Sequence, residues 1–242
     1  MGVFLIQTVE GEIKHDFSFH LLKAIEYQNW YRDEIVYQAV TGDHININNY
    51  PGYIPVGSLE FVFAYIANHH HKKNLIPINI PVELTNPKKY TKRKFCSNVP
   101  KDHIKSYLKE FGKKCFIKSC TTHKGFTDIL HGDMTEHIPE DRYFVSEVIS
   151  ILSEWRAFVY RSQLVGLKNY SGDFIVFPDV DLVREMISNY KLAPLAYTLD
   201  VGIGERGTFL IEVHPFVSCG LYGFDDYRIL PQMFIQGFKF YL

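Results

Sequence analysis

Several things are scarce in this chain. No apolar run is long enough to span a bilayer. Charge of one sign is not in excess: 26 Lys and Arg stand against 27 Asp and Glu, a formal net charge of −1. The whole-molecule field therefore gives no case for nucleic acid or an anionic membrane as partner. Four cysteines occur, Cys96, Cys115, Cys120 and Cys219, and none stands in a C-x-x-C pair. The opening residues lack a basic region and turn polar by Gln7, unlike a secretory leader. Reduced, buried thiols in a cytoplasmic protein are the expectation. Gly2 suggests acylation, but Ile6 stands where Ser or Thr is wanted.

Apolar and aromatic residues are plentiful. At 46% hydrophobic and 15% aromatic, 242 residues can build one large domain or two small ones. The densest chemical signal lies between Tyr197 and Pro215. Two apolar segments flank the turn-rich stretch Gly202-Ile203-Gly204-Glu205-Arg206-Gly207, which predicts a β-hairpin. Alternation puts Phe209, Ile211 and Val213 on one face of the second strand and Glu212 and His214 on the other. On the first strand Leu199 and Val201 share a face opposite Asp200. An antiparallel pairing then gathers Asp200, Glu212 and His214 on one polar face. Carboxylates so placed suit Mg²⁺, which takes its other ligands from water and substrate phosphates.

TLDVGI followed by FLIEVHPF resembles the metal-binding end of the ATP-grasp fold. Upstream, SEWRAFVY and LVGLKNYSGD resemble a clade of small ATP-grasp proteins named for its signature of one arginine and two lysines. The likeness is good over the last half of the chain and loose over the first. It departs at His214, where the family usually has Asn. Imidazole is a poorer match to Mg²⁺ and suits Mn²⁺ or Zn²⁺ better.

The resemblance assigns further residues. KKCFIKS reads as a strand with Cys115, Ile117 and Ser119 on one face and Phe116 and Lys118 on the other. Lys118 matches a family lysine that contacts nucleotide phosphates. The following Cys120–Thr127 stands where the family has a glycine-rich covering loop, and Lys124 offers a second phosphate contact. Tyr143–Ile149 matches the hinge that binds adenine, with Glu147 as the acid toward ribose. In SEWRAFVY and its return strand, Arg156 and Lys168 fall on neighbouring strands aimed at one cleft, in catalytic and nucleotide-binding roles. Pairing of Arg156 with Glu154 or Asp173 is the structural alternative.

Elsewhere the pattern is plainer. Val3–Val9 and Glu34–Val40 read as strands, and Tyr50–Pro55 reads as a turn. Asp16–Tyr31 is partly helical, with Phe19, Leu22 and Ile25 near helical spacing and a polar stop at Gln28-Asn29. Ser58 caps a helix over Leu59–Asn68, or holds an anion there. His69, His70 and His71 read as its solvated end rather than a metal site. Ile76–Pro100, with four prolines and a basic run over Lys88–Lys94, reads as a linker. Helices are expected over Lys101–Phe111, Asp179–Tyr190 and Asp225–Gln236. Cys219 reads as a small buried residue rather than a reactive thiol.

The expected class is α+β: an α/β N-terminal domain over residues 1–85, then an ATP-grasp domain with antiparallel sheets over 86–242. The resemblance implies an ATP- and Mg²⁺-dependent carboxylate–amine ligase working through an acyl phosphate, with Mn²⁺ as the other candidate ion. Its substrates would be a carboxylate and an amine, either peptide, protein or small metabolite, with a homodimer as the guess for assembly. The alternatives are a nucleotide-binding protein that recognises a partner and a phosphotransferase.

Overall fold

The computed structural model describes residues 2–73, 75–132 and 136–242. It begins with a parallel sheet of β1 (Gly2–Gln7), β2 (Tyr37–Gly42) and β3 (Ile54–Val56), in the order β2-β1-β3. In β1, Phe4 and Ile6 enter one apolar cluster while Leu5 enters another on the opposite side. That two-sided burial is what a nearly continuous apolar strand demands. The predicted turn over Tyr50–Pro55 ends earlier than expected. Ile54–Val56 pairs with β1, and Pro55 is tolerated because β3 lies at the sheet's edge.

Two helices cover this sheet. α1 (Asp16–Arg32) runs through the predicted polar stop. Gln28 is buried and donates to the carbonyls of Tyr227 and Arg228, and Asn29 donates to that of Tyr37, so these residues anchor the helix. The buried stripe is Phe17, Leu21, Ala24 and Ile25; Phe19 faces solvent instead. α2 (Leu59–His70) starts at Ser58, whose hydroxyl accepts from the Phe61 amide at 3.2 Å. That is an ordinary N-cap.

The second sheet is antiparallel. It comprises β4 (Phe95–Pro100), β5 (Lys114–Ser119), β6 (Thr127–His131) and β7 (Arg142–Ser146), in the order β4-β7-β5-β6. α3 (Ile104–Glu110) precedes β5 and buries Ile104 and Leu108. The third sheet, also antiparallel, has β8 (Ser153–Tyr160), β9 (Gln163–Gly172), β10 (Ala196–Gly204) and β11 (Gly207–Pro215), in the order β11-β10-β8-β9. α4 (Val180–Asn189) packs Val183, Met186 and Ile187 on its outer face, capped by the Asp179 carboxylate.

α5 (Leu230–Lys239) starts five residues later than predicted, with Pro231 in its first turn. Before it, Asp226 and Arg228 close a charged turn. α5 returns to the N-terminal sheet. Met233 and Phe234 share one cluster with Phe4, Ile6 and Leu21. The architecture is thus α+β as expected. Among the described residues no helix is long and apolar enough to cross a membrane.

Residues 76–100 are not a solvated connector. β11 is an edge strand, and unpaired edge amides need partners. The Val213 amide donates to the Asn79 carbonyl and the Leu210 amide to that of Tyr90, both at 2.7 Å. Prolines prevent a continuous ladder, so the contact is made point by point. The segment's last residues then become β4.

Candidate functional site

The β10–β11 hairpin is tighter than its glycine content suggests. Gly204 pairs with Gly207, leaving Glu205 and Arg206 as the turn. Gly207 sits at φ 81°, which favours a residue without Cβ. The register shifts between Asp200 and Val201: Asp200 opposes Glu212, whereas Val201 opposes Leu210. Ile211 is therefore the extra residue of a β-bulge, and strict alternation fails there. Leu210 and Val213 enter the core, while Ile211 and Glu212 both line a cavity.

The bulge aligns charges in one row across the sheet. Lys168 opposes Arg156, Arg156 opposes Asp200, and Asp200 opposes Glu212. Arg156 donates Nε to Asp200 Oδ1 at 2.8 Å and Nη2 to Oδ2 at 2.7 Å. Its Nη1 donates to the Gly220 carbonyl at 3.1 Å. The rings of Tyr170 and Tyr222 flank the guanidinium, with centroids 5.6 and 5.2 Å away. Asp200 is 2% exposed. Burial disfavours the arginine's charge, but Asp200 more than offsets this and drives its pKa above the usual range. The partner of Arg156 is thus Asp200, not Glu154 or Asp173.

Glu212 faces the second sheet. Lys118 of β5 reaches across and forms an ion pair with Glu212 Oε2, while His214 Nε2 lies 2.9 Å from Oε1. Burial opposes ionisation of Glu212. His214 and Lys118 outweigh it and hold the carboxyl well below its ordinary range. Ligand atoms of Asp200, Glu212 and His214 all lie within 4.8 Å of one another. Two carboxylates and an imidazole so close form a donor set that fits a divalent cation. Among the described residues it is the one such group.

A cavity of about 650 Å³ lies between the two sheets, within the size range of small-molecule sites. Lys118, Lys124, Arg156, Glu212 and His214 line it, and Asp200 lies beneath Arg156 and Glu212. Arg93 lines it too, a residue that alternation does not single out. It is 7% exposed and donates to the carbonyls of Thr91, Leu210 and Ile211 at 3.2, 2.8 and 3.3 Å. Phe144 and Phe209 flank it, at 5.8 and 5.7 Å. Burial pushes its pKa down to about 10. The available signal is that Arg93 is the one arginine in a run of lysines, and arginine tolerates burial better than lysine.

Residues 90–231 match family 2 of the ATP-grasp domains in the clade named for one arginine and two lysines. The chain belongs to that ATP-grasp family. Among solved structures, D-cycloserine synthetase is similar over 98% of this chain and 100% of its own, at 9% identity and TM-score 0.63. The D-alanine–D-alanine ligase of Bacillus anthracis matches over 100% and 98%, at 12% identity and TM-score 0.57. A macrocyclase of Microcystis aeruginosa, bound with its precursor peptide, matches over 97% and 99%, at 11% identity and TM-score 0.52. At these identities the likeness is one of fold. No curated protein matches the chain in sequence.

Other residues expected from ATP-grasp resemblance are placed elsewhere. Lys168 pairs with Arg156 in register, but it lines a separate surface hollow with Tyr27 and Asp226. Glu147 also lies outside the cavity lining. Its carboxylate accepts from the Lys94 amide at 2.9 Å and from Arg206 at 3.3 Å, so it ties β7 to the hairpin turn. The covering loop is short of glycine and is anchored instead. His123 sits against Phe63 of α2 and near-terminal Tyr241, with ring centroids at 5.0 and 6.2 Å. Burial, then the neighbouring His214 and Lys118 charges, push its pKa down to about 4. Gly125 permits the loop's return, since a Cβ there would lie 2.7 Å from that of Ser119.

His69 and His70 are structural, and His71 is exposed at the helix end. His69 Nε2 lies 2.8 Å from the Ile47 carbonyl oxygen, and His70 packs on Phe238. Cys219 lines the cavity, but burial pushes its thiol up to about 12, which leaves it protonated and inert.

Proposed function

We propose that this ATP-grasp protein is a ligase of the carboxylate–amine type that depends on ATP and a divalent ion, Mg²⁺ or Mn²⁺, and forms an amide or peptide bond. The observation that carries this reading is one cavity lined by four cations, Arg93, Lys118, Lys124 and Arg156, beside the clustered donors Asp200, Glu212 and His214. Arg93, Lys118 and Lys124 would neutralise the triphosphate. Asp200, Glu212 and His214 would hold the divalent ion. When bound, the ion would offset charge developing on the β- and γ-oxygens. Arg156 would act through Asp200, fixing its carboxylate under the ion site. Lys168 and Glu147 would support these elements rather than touch nucleotide.

In this reading ATP lies between the second and third sheets. Transfer of its γ-phosphate to a substrate carboxylate gives an acyl phosphate and ADP. An amine then attacks the acyl carbon and phosphate leaves. Both steps need only positioning and charge, so no side chain has to be a covalent nucleophile. Residues 1–85 would form the acceptor-side domain and residues 86–242 the nucleotide-binding domain. The ligases of similar fold support the class of reaction, and the peptide-bound macrocyclase makes a peptide one candidate substrate.

The test is ADP release in the presence of carboxylate and amine mixtures, including peptides. An acceptor pair that yields ADP, phosphate and an amide supports the reading, provided Glu212→Ala and Lys118→Ala abolish turnover. A stable phosphorylated product without amide would point to phosphoryl transfer instead. ATP binding with no turnover on any acceptor would favour a partner-recognition role.

A further inference from the structure

We propose that His214 makes the cation site selective for Mn²⁺ over Mg²⁺, a deepening that rests on the nucleotide-site reading above. The first ground is the charge already present around the donors. Asp200 is held bidentately by Arg156, and Glu212 is ion-paired with Lys118. The two carboxylate charges are therefore matched by two cations before any metal enters. Mg²⁺ dehydrates reluctantly and depends on anionic oxygens in near-octahedral array. A site whose carboxylates are already compensated offers it little. The imidazole adds a nitrogen donor, and nitrogen raises affinity for first-row transition ions relative to Mg²⁺.

The second ground is where the ring already points. His214 Nε2 lies 2.9 Å from Glu212 Oε1, so the imidazole is directed at the donor group before any ion enters.

The experiment uses the whole chain with metal alone. Free Mn²⁺ is counted by electron paramagnetic resonance during titration, then Mg²⁺ is added as competitor. Pulsed measurement on the native protein reads nitrogen coupling to bound Mn²⁺ directly. The expected result is a nitrogen coupling of imidazole type and a preference for Mn²⁺ that falls about tenfold or more in His214→Asn. Absence of nitrogen coupling in the native protein overturns the proposal and needs no variant to fold. An unchanged Mn²⁺ to Mg²⁺ ratio in a folded His214→Asn overturns it as well. Calorimetry with ATP on the same samples separates the two levels. Nucleotide binding that persists while the metal ratio is unchanged rejects this inference alone, whereas loss of nucleotide binding in the native protein rejects the reading on which it rests.

Discussion

Two buried arginines of the cavity sit in opposite electrostatic settings. On the third sheet, charges are matched within the protein: Arg156 and Asp200 are both buried and joined by two hydrogen bonds. Arg93, docked against β11 of the same sheet, is as buried as Arg156, yet its hydrogen-bond partners are backbone carbonyls. Its nearest acid, Glu212, is already paired with Lys118 and His214, so this guanidinium has no carboxylate of its own to offset burial. Arg156 has a carboxylate of its own, whereas Arg93 is held by backbone carbonyls alone. In the proposed reading, that difference separates a residue that holds the site together from one that serves a ligand.

The largest expected effect tests the Arg156–Asp200 pair. Arg156→Met leaves Asp200 buried and uncompensated, which should cost about 3–5 kcal/mol in a urea unfolding experiment. Arg156→Met combined with Asp200→Asn should recover a good part of that loss. If the single variant is as stable as the native protein, the pair is not the strut described here.

Lys118→Ala should have its main effect on ligand rather than fold. A charge-assisted hydrogen bond to phosphate is worth about 1.5–3 kcal/mol, so ATP affinity should fall roughly ten- to hundredfold. Arg93→Met sharpens the contrast further. It strands no ion, so it should cost less stability than Arg156→Met while still weakening nucleotide binding. Equal stability losses in the two variants would erase the distinction between the two arginines.

The smallest effect concerns the covering loop. The imidazole of His123 ordinarily titrates near 6.5, but in the folded protein it stays neutral down to about 4. The unfolded chain therefore takes up a proton first as pH falls. The stability from a neutral His123 is present above pH 6.5 and is lost progressively as pH falls toward 4. His123→Phe should flatten that part of the melting-temperature profile. A native profile that is flat between those values would show that the ring is not held in its aromatic cup.

Legibility follows the same division. The polar face bearing Asp200, Glu212 and His214, and the outward Lys118, come from alternation along apolar strands, a signal set by backbone geometry. Strict alternation breaks at Ile211, because a bulge inserts one residue without a distinctive composition. β4 escapes the sequence pattern because prolines and lysines upstream dominate its stretch, while its order comes from pairing with β7, remote in sequence. Arg93 escapes it for the same reason: its burial is decided by Phe144 and Phe209, remote in sequence. Arg156 and Lys168 do lie on paired strands, as alternation implies, but pairing in register does not bring both to the cavity.

The central claim is that the cavity between the two antiparallel sheets binds ATP with a divalent ion. Calorimetry of ATP with the native chain, with and without Mg²⁺ or Mn²⁺, tests it most directly, with Glu212→Ala alongside. The account predicts binding that requires the ion and falls at least about tenfold in the variant, where a metal-ligand carboxylate is lost. A native chain that binds no nucleotide with either ion would contradict it.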